Sequence, residues 1–204
     1  MSKKLNKSNE NTVSNYLADM LAAFDARASY EASKNADNSN MQETLKDLRK
    51  SVNHDAIASV MLAANLDASF INRAERNNSR FNVYSAQKVV NVARHAASAA
   101  TLNHYTKAIL ASLVAFKKAN VDFTHKDAIA SCSIDSKVNK AKDSLLVRYQ
   151  KVVAANTAST QASSSVNALQ MMHIVNETRN AANETCYVLN DNEIAVKLIE
   201  ALSA

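Results

Sequence analysis

The stretch Ser163-Ser-Ser-Val-Asn-Ala-Leu-Gln-Met-Met-His-Ile-Val175, continued by Asn176-Glu-Thr-Arg-Asn-Ala-Ala-Asn-Glu-Thr-Cys-Tyr-Val-Leu189, changes its period halfway. In the first part, Ala162, Val166, Leu169 and His173 recur at helical spacing, which predicts a helix ending near Met172. From Ile174 the pattern becomes two β-rich runs, Ile174 to Thr178 and Thr185 to Leu189, around a polar turn holding Asn180 and Asn183. Such runs flanking an Asn-bearing turn predict a hairpin. Asp191 is then placed to cap a last helix carrying Ile194, Leu198, Ile199 and Leu202. The fold class that follows is mainly α: a multi-helix protein with a small C-terminal β-hairpin as its main β structure.

Working outward, residues 1–11 read as a polar, disordered arm. Residues 12–34 predict a helix with Val13, Leu17, Met20, Leu21 and Phe24 on one face, and residues 35–40 a linker. A short helix around Leu45, Leu48 and Val52 precedes one over 55–64, with Asn65 as its left-handed cap. Residues 66–80 are irregular, Ser85 caps a helix to about 100, and residues 103–119 form a long one. Thr124 with Asp127 has capping-box spacing and opens a short helix that stops near Cys132. Asp135 or Ser136 caps another expected over 136–155, and the Ser/Thr-rich 157–165 leads into the helix that ends near Met172. The chain thus divides into the arm, an N-terminal helical region (12–100) and a C-terminal helical region (101–204).

Composition narrows function by exclusion. The 204 residues contain no Gly and no Pro, where average usage would give about two dozen of the two together. The composition is selected or recoded against both, and Asn65 and Asn183 stand where Gly is expected. Without Gly, phosphate-cradling loops, dinucleotide fingerprints and nucleophile elbows are unavailable in their usual form. The five histidines (His54, His95, His104, His125, His173) show no metal-binding spacing, and Cys132 and Cys186 lie far apart. The reading is a non-enzyme with no metal and no cofactor. Two unpaired cysteines, no signal core and no apolar run of membrane length point to a cytoplasmic protein with no membrane partner. The net charge of +5 favours polyanionic partners.

The order of helix, hairpin and helix over residues 145–204 resembles the recognition helix and wing of winged helix-turn-helix DNA-binding domains. His173 stands where that family usually has Gly. The resemblance implies that the helix enters a groove of nucleic acid while the hairpin lies against phosphates. With the apolar residues inward, Thr160, Gln161, Ser164 and Asn167 turn outward to contact bases or phosphates, and Arg179 begins the wing tip. On the helix expected over 136–155, Lys137, Lys140, Arg148 and Lys151 cluster in one arc, the stripe a phosphate-tracking helix needs. Lys142 is the exception, falling among apolar residues.

Two other frames compete. Residues 124–142 read as helix-turn-helix with Ala128 inward, a turn over 131–134 and Val138 packing. Residues 62–76 offer Asn65 in the turn, Ile71 inward, and Arg73, Arg76 and Arg80 exposed. The functional expectation is a regulatory, replication-associated or phage-type accessory protein that binds nucleic acid, duplex DNA foremost. The alternative is a helical assembly or protein-interaction protein that binds none, with a homo-oligomer compatible with either.

Overall fold

The computed structural model describes residues 2–75 and 79–203 and is mainly α-helical, with one small antiparallel sheet. The first helix, α1 (Ser2–Lys34), ends where the sequence places it but begins earlier. Met1 lies outside the described residues, and from Ser2 onward the backbone of the expected arm is helical. No Gly or Pro is present there to stop helix propagation. Tyr16, Met20, Ala23, Phe24, Arg27 and Glu31 form its buried stripe, at the three- and four-residue intervals that keep side chains on one face. Arg27 Nε donates to Glu31 Oε1 at 2.7 Å, its NH1 donates to the Ile71 carbonyl, and both side chains are buried.

Helix α2 (Ser39–Val52) starts at Asn38, whose side chain accepts from the Met41 amide, and buries Leu45, Leu48 and Val52. Helix α3 (Asp55–Ala63) buries Ile57, Ala58 and Met61, and Asn65 follows with φ 54°. The irregular stretch after it contains a 3₁₀ turn (Phe70–Asn72) and a bridge between Ala74 and Arg80. Tyr16 and Asn72 tie this stretch to α1: the Tyr16 hydroxyl donates to the Leu66 carbonyl and Asn72 Nδ2 to that of Ala23. Arg80 sits over the Tyr30 ring, Arg73 pairs with Glu75, and Arg76 lies outside the described residues. These contacts hold Leu66, Ile71, Asn72 and Arg80 against α1.

Helix α4 (Val83–Ala96) is capped by Asn82 instead of Ser85, because the Asn82 side chain accepts from both the Tyr84 and Ser85 amides. Helix α5 (His104–Ala119) begins at Asn103 and closes on Asn120 at φ 53°. Strand β1 (Phe123–Thr124) and α6 (His125–Ser131) follow, with the capping box of Thr124 and Asp127 formed in both directions.

The next segment departs from expectation. Instead of a helix over 136–155, only α7 (Lys140–Asp143) forms, inside a long folded loop. Serine hydroxyls and distant carbonyls take up the backbone groups that a helix would have paired. The Val147 amide donates to Ser112 Oγ, that of Val153 to Ser133 Oγ, and that of Tyr149 to the Ser131 carbonyl. The loop's ends meet where the Ile134 amide donates to the Lys151 carbonyl at 3.1 Å. Leu145, Leu146 and Val153 pack from the loop against the core, and Tyr149 stacks on His104.

Helix α8 (Ala155–Met171) includes the Ser/Thr-rich lead, so the whole segment is one helix. It buries Ala158, Ala162, Ser165, Val166, Ala168 and Leu169 against α4, α5 and α6. Thr106 Oγ1 donates to Ser165 Oγ at 3.0 Å across the α5–α8 contact, so neither buried hydroxyl is left unpaired. His173 follows at φ 53° and makes the tight exit turn into β2 (Val175–Arg179). Strand β3 (Thr185–Leu189) pairs antiparallel with β2 in the register Val175↔Leu189 to Arg179↔Thr185, and Asn183 in the turn has φ 58°. On its other edge β3 pairs with β1, Phe123 opposite Tyr187, giving the sheet order β1-β3-β2. Helix α9 (Glu193–Ser203) ends the described chain, and the side chain of Asn192 rather than Asp191 caps it by accepting from the Ala195 amide. One hydrophobic core runs from Tyr16 to Leu198 and crosses the boundary expected near residue 100.

Candidate nucleic-acid interface and the adjoining groove

Helix α8 carries no charged residue along its whole length. Its buried stripe takes up one side, and on the other Asn156, Thr157, Thr160 and Ser163 are exposed, flanked by half-buried Ser159, Ser164, Asn167 and Gln170. Several of these hydroxyls return to their own helix: Thr160 Oγ1 donates to the Asn156 carbonyl and Ser163 Oγ to that of Ser159. The side-chain amides of Asn156 and Asn167 are directional groups of the open face: Asn167 carries donors and an acceptor, whereas Asn156 Oδ1 accepts from the Thr157 amide at 2.8 Å and leaves Asn156 a donor.

This face meets α4 across an open groove of about 790 Å³. Four residues expected to face outward, Thr160, Gln161, Ser164 and Asn167, all line it. Gln161, Ser164 and Asn167 are half-buried in it, and Thr160 is exposed. The opposite wall is Asn82, Tyr84, Ser85, Gln87 and Lys88, with Asn103 and Tyr105 from the start of α5. Lys88 is 8% exposed. Its Nζ donates to Asn103 Oδ1 at 2.6 Å and lies 5.1 Å from the Tyr105 ring centre. Burial pulls its pKa down to about 8.

The cations expected on a helical stripe do not form one, because the helix that would align them is absent. Lys137, Lys140 and Lys151 are exposed on the folded loop, with no ion pair among the described residues. Arg148 is bound inside it: NH2 donates to Asp143 Oδ1 at 2.5 Å and to the Ser136 carbonyl, and its buried Nε has no acceptor among the described residues. Lys142, the exception on the wheel, latches the loop to α6. Its Nζ donates to the buried Asp127 carboxylate at 2.7 Å and to the Asp122 carbonyl at 2.8 Å.

Arg179 is exposed near the hairpin tip, where its NH1 donates to the Asn183 carbonyl. Lys126 pairs with Glu184 there, and Gln170 of α8 reaches Glu177 of β2 at 3.4 Å. Between hairpin and helix, His125 Nδ1 lies 2.9 Å from the Tyr187 hydroxyl, and its Nε2 lies 3.5 Å from Ser163 Oγ. Burial lowers the His125 pKa, against a smaller opposing pull from Glu177.

Sequence reasoning missed Lys88, Tyr84, Tyr105 and Ser163. No local signal marks them, because the groove joins helices some seventy residues apart in the chain. Cys132 is fully buried, hydrogen-bonded to the Ala128 carbonyl, and its thiol is pushed up to about 12 by burial. A thiol held protonated in this way is a packing group. Among the described residues no cluster of His, Cys, Asp and Glu is arranged to hold a metal, and no helix is long and apolar enough to cross a membrane.

No protein-family model, no curated protein and no solved structure matches this chain.

Proposed function

We propose that residues 104–189 form a winged helix-turn-helix that binds nucleic acid, duplex DNA foremost, through α8 and the hairpin. The observation that carries this reading is the open, uncharged polar face of α8 standing beside a two-stranded wing. Supporting it, α5, β1, α6, α8, β2 and β3 follow one another in the order of that motif, and the strands pair as β1-β3-β2. His173 occupies a left-handed position where the motif usually uses Gly. The folded loop over 132–154 takes the place of a short turn between α6 and α8.

In this reading the amides of Asn156 and Asn167, with Thr160 and Ser163, meet base edges. Arg179 on the wing and Lys137, Lys140 and Lys151 on the loop contact phosphates, which position the duplex without reading it. Arg148, held by Asp143, is left out of that set. A second reading, protein interaction in place of nucleic-acid binding, is favoured by one feature: Ile134, Val147 and Val152, all on the loop, are exposed apolar side chains.

Fluorescence anisotropy with duplex DNA, single-stranded DNA and RNA, at about 50 and 200 mM salt, tests the proposal. Binding should weaken steeply with salt, and Thr160→Asp with Asn167→Asp should weaken it at least ~10-fold by setting carboxylates against phosphates. The triple change of Lys137, Lys140 and Lys151 to Gln should lower the log–log salt slope by about 1 for each phosphate that a lysine no longer neutralises. No binding at the lower salt, together with concentration-dependent growth in particle size, would replace this reading with the second.

A further inference from the structure

Lys88 is a buried cation without a carboxylate partner among the described residues. Its one hydrogen bond goes to the neutral Asn103 amide, so two of its three N–H donors have no hydrogen-bond acceptor among the described residues, and the side chain lines the groove. The N-terminal turns of α4 and α5 border the same groove at Asn82 and Asn103, whose side chains already accept from the Tyr84, Ser85 and Tyr105 amides, so what the helix ends add is a field that favours negative charge and not free N–H donors. The facing wall, from α8, contributes hydroxyls and amides and no charge of either sign. The groove's volume of about 790 Å³ is ample for a small metabolite.

We propose that the α4–α8 groove binds a small phosphorylated, polyhydroxylated molecule, its oxyanion held by Lys88 and its hydroxyls by Ser163, Asn167 and Asn82. A buried ammonium is costly unless an anion compensates it; the phosphate supplies that charge, and its several acceptor oxygens use the free donors. The proposal stands independently of the nucleic-acid reading, although the two sites share a wall of α8.

The titratable groups around Lys88 are Tyr84 on its own helix, Tyr105 from α5 and Cys132 at the end of α6, and α8 brings none. Burial raises the pKa of both Tyr105 and Cys132, so both stay neutral near pH 8. Because the Lys88 pKa is about 8, its protonated fraction falls about tenfold between pH 7 and pH 9.

Calorimetric titration of the full chain with sulfate and with a hexose 6-phosphate tests this. Both should bind saturably, the hexose phosphate more tightly, and each at least ~10-fold more weakly to Lys88→Met, which keeps the unbranched apolar stem and removes the charged end. Sulfate, whose charge is constant over the range, should bind about tenfold more weakly at pH 9 than at pH 7; this wild-type measurement stands even if the variant folds poorly. Binding unchanged in Lys88→Met, or independent of pH, would overturn the assignment of Lys88. Equal affinity for sulfate and hexose phosphate would overturn the role given to the polar walls. Binding of duplex DNA but of neither small anion, abolished in Lys88→Met, would overturn the proposal and give Lys88 to the α8 interface.

Discussion

Changing Asp127 to Ala removes three interactions at once from a site that is almost closed to solvent. Its carboxylate accepts from the Thr124 amide and hydroxyl, both at 2.8 Å, and from Lys142 Nζ at 2.7 Å, while the residue is 4% exposed. Leaving the buried Thr124 amide unsatisfied costs about 1–2 kcal/mol. Breaking a fully buried ion pair costs about 3–5 kcal/mol, but Lys142 remains 25% exposed and keeps the Asp122 carbonyl. That discounts the pair to roughly 1–2 kcal/mol. The sum is about 3 kcal/mol, or roughly 6–12 °C in Tm for a chain of this size.

Asp127→Asn retains an acceptor for Thr124 and should lose about half as much. Because the two side chains touch, Asp127→Ala and Lys142→Met should be non-additive by about 1 kcal/mol or more in a double-mutant cycle. Urea unfolding followed by circular dichroism measures all four proteins. Amide exchange should also rise over 133–153 in the Asp127→Ala protein, where the latch holds the loop. A loss below about 1 kcal/mol, or additive single changes, would refute the claim that this pair fastens the loop to α6.

Two further outcomes follow from the same structure. His173→Gly should raise stability by about 1 kcal/mol, and Asn183→Gly by only some tenths, since Asn tolerates left-handed backbone better than His; equal or negative shifts in Tm would contradict the backbone assignment at φ 53° and 58°. Burial depresses the His125 pKa, so the unfolded chain binds the proton more readily; stability from this group is full above pH ~6.5 and is lost as pH falls through the lower folded value. His125→Gln should therefore show a flatter decline in stability below that pH than the parent, and parallel curves would remove His125 from the acid response.

The elements most legible in the sequence are those set by local chemistry. The Thr124–Asp127 capping box, the Asn65 cap and the hairpin from Val175 to Leu189 each depend on residues a few positions apart. The segment 132–154 misleads because its helical spacing is real but its backbone is taken by Ser112, Ser131 and Ser133, which spacing cannot reveal. That one difference scatters the cationic stripe and turns Arg148 into a loop brace. Strand β1 is two residues long and is defined by its pairing with β3, so no periodic signal exists for it. Of the candidate site, the α8 face is readable from one helix. The opposing wall is not, because Lys88 sits among apolar neighbours in a pattern that shows helix and not groove.

On the proposed reading, α8 and the wing form the surface that meets nucleic acid. The most direct measurement is a residue-resolved map of amide chemical-shift changes on adding a short duplex at low salt. Changes should concentrate at Asn156, Thr160, Ser163 and Asn167 and at the hairpin residues 179–183, with α1, α2 and α3 unmoved. A map centred on α1 to α3, or no saturable change anywhere on the chain, would contradict the account.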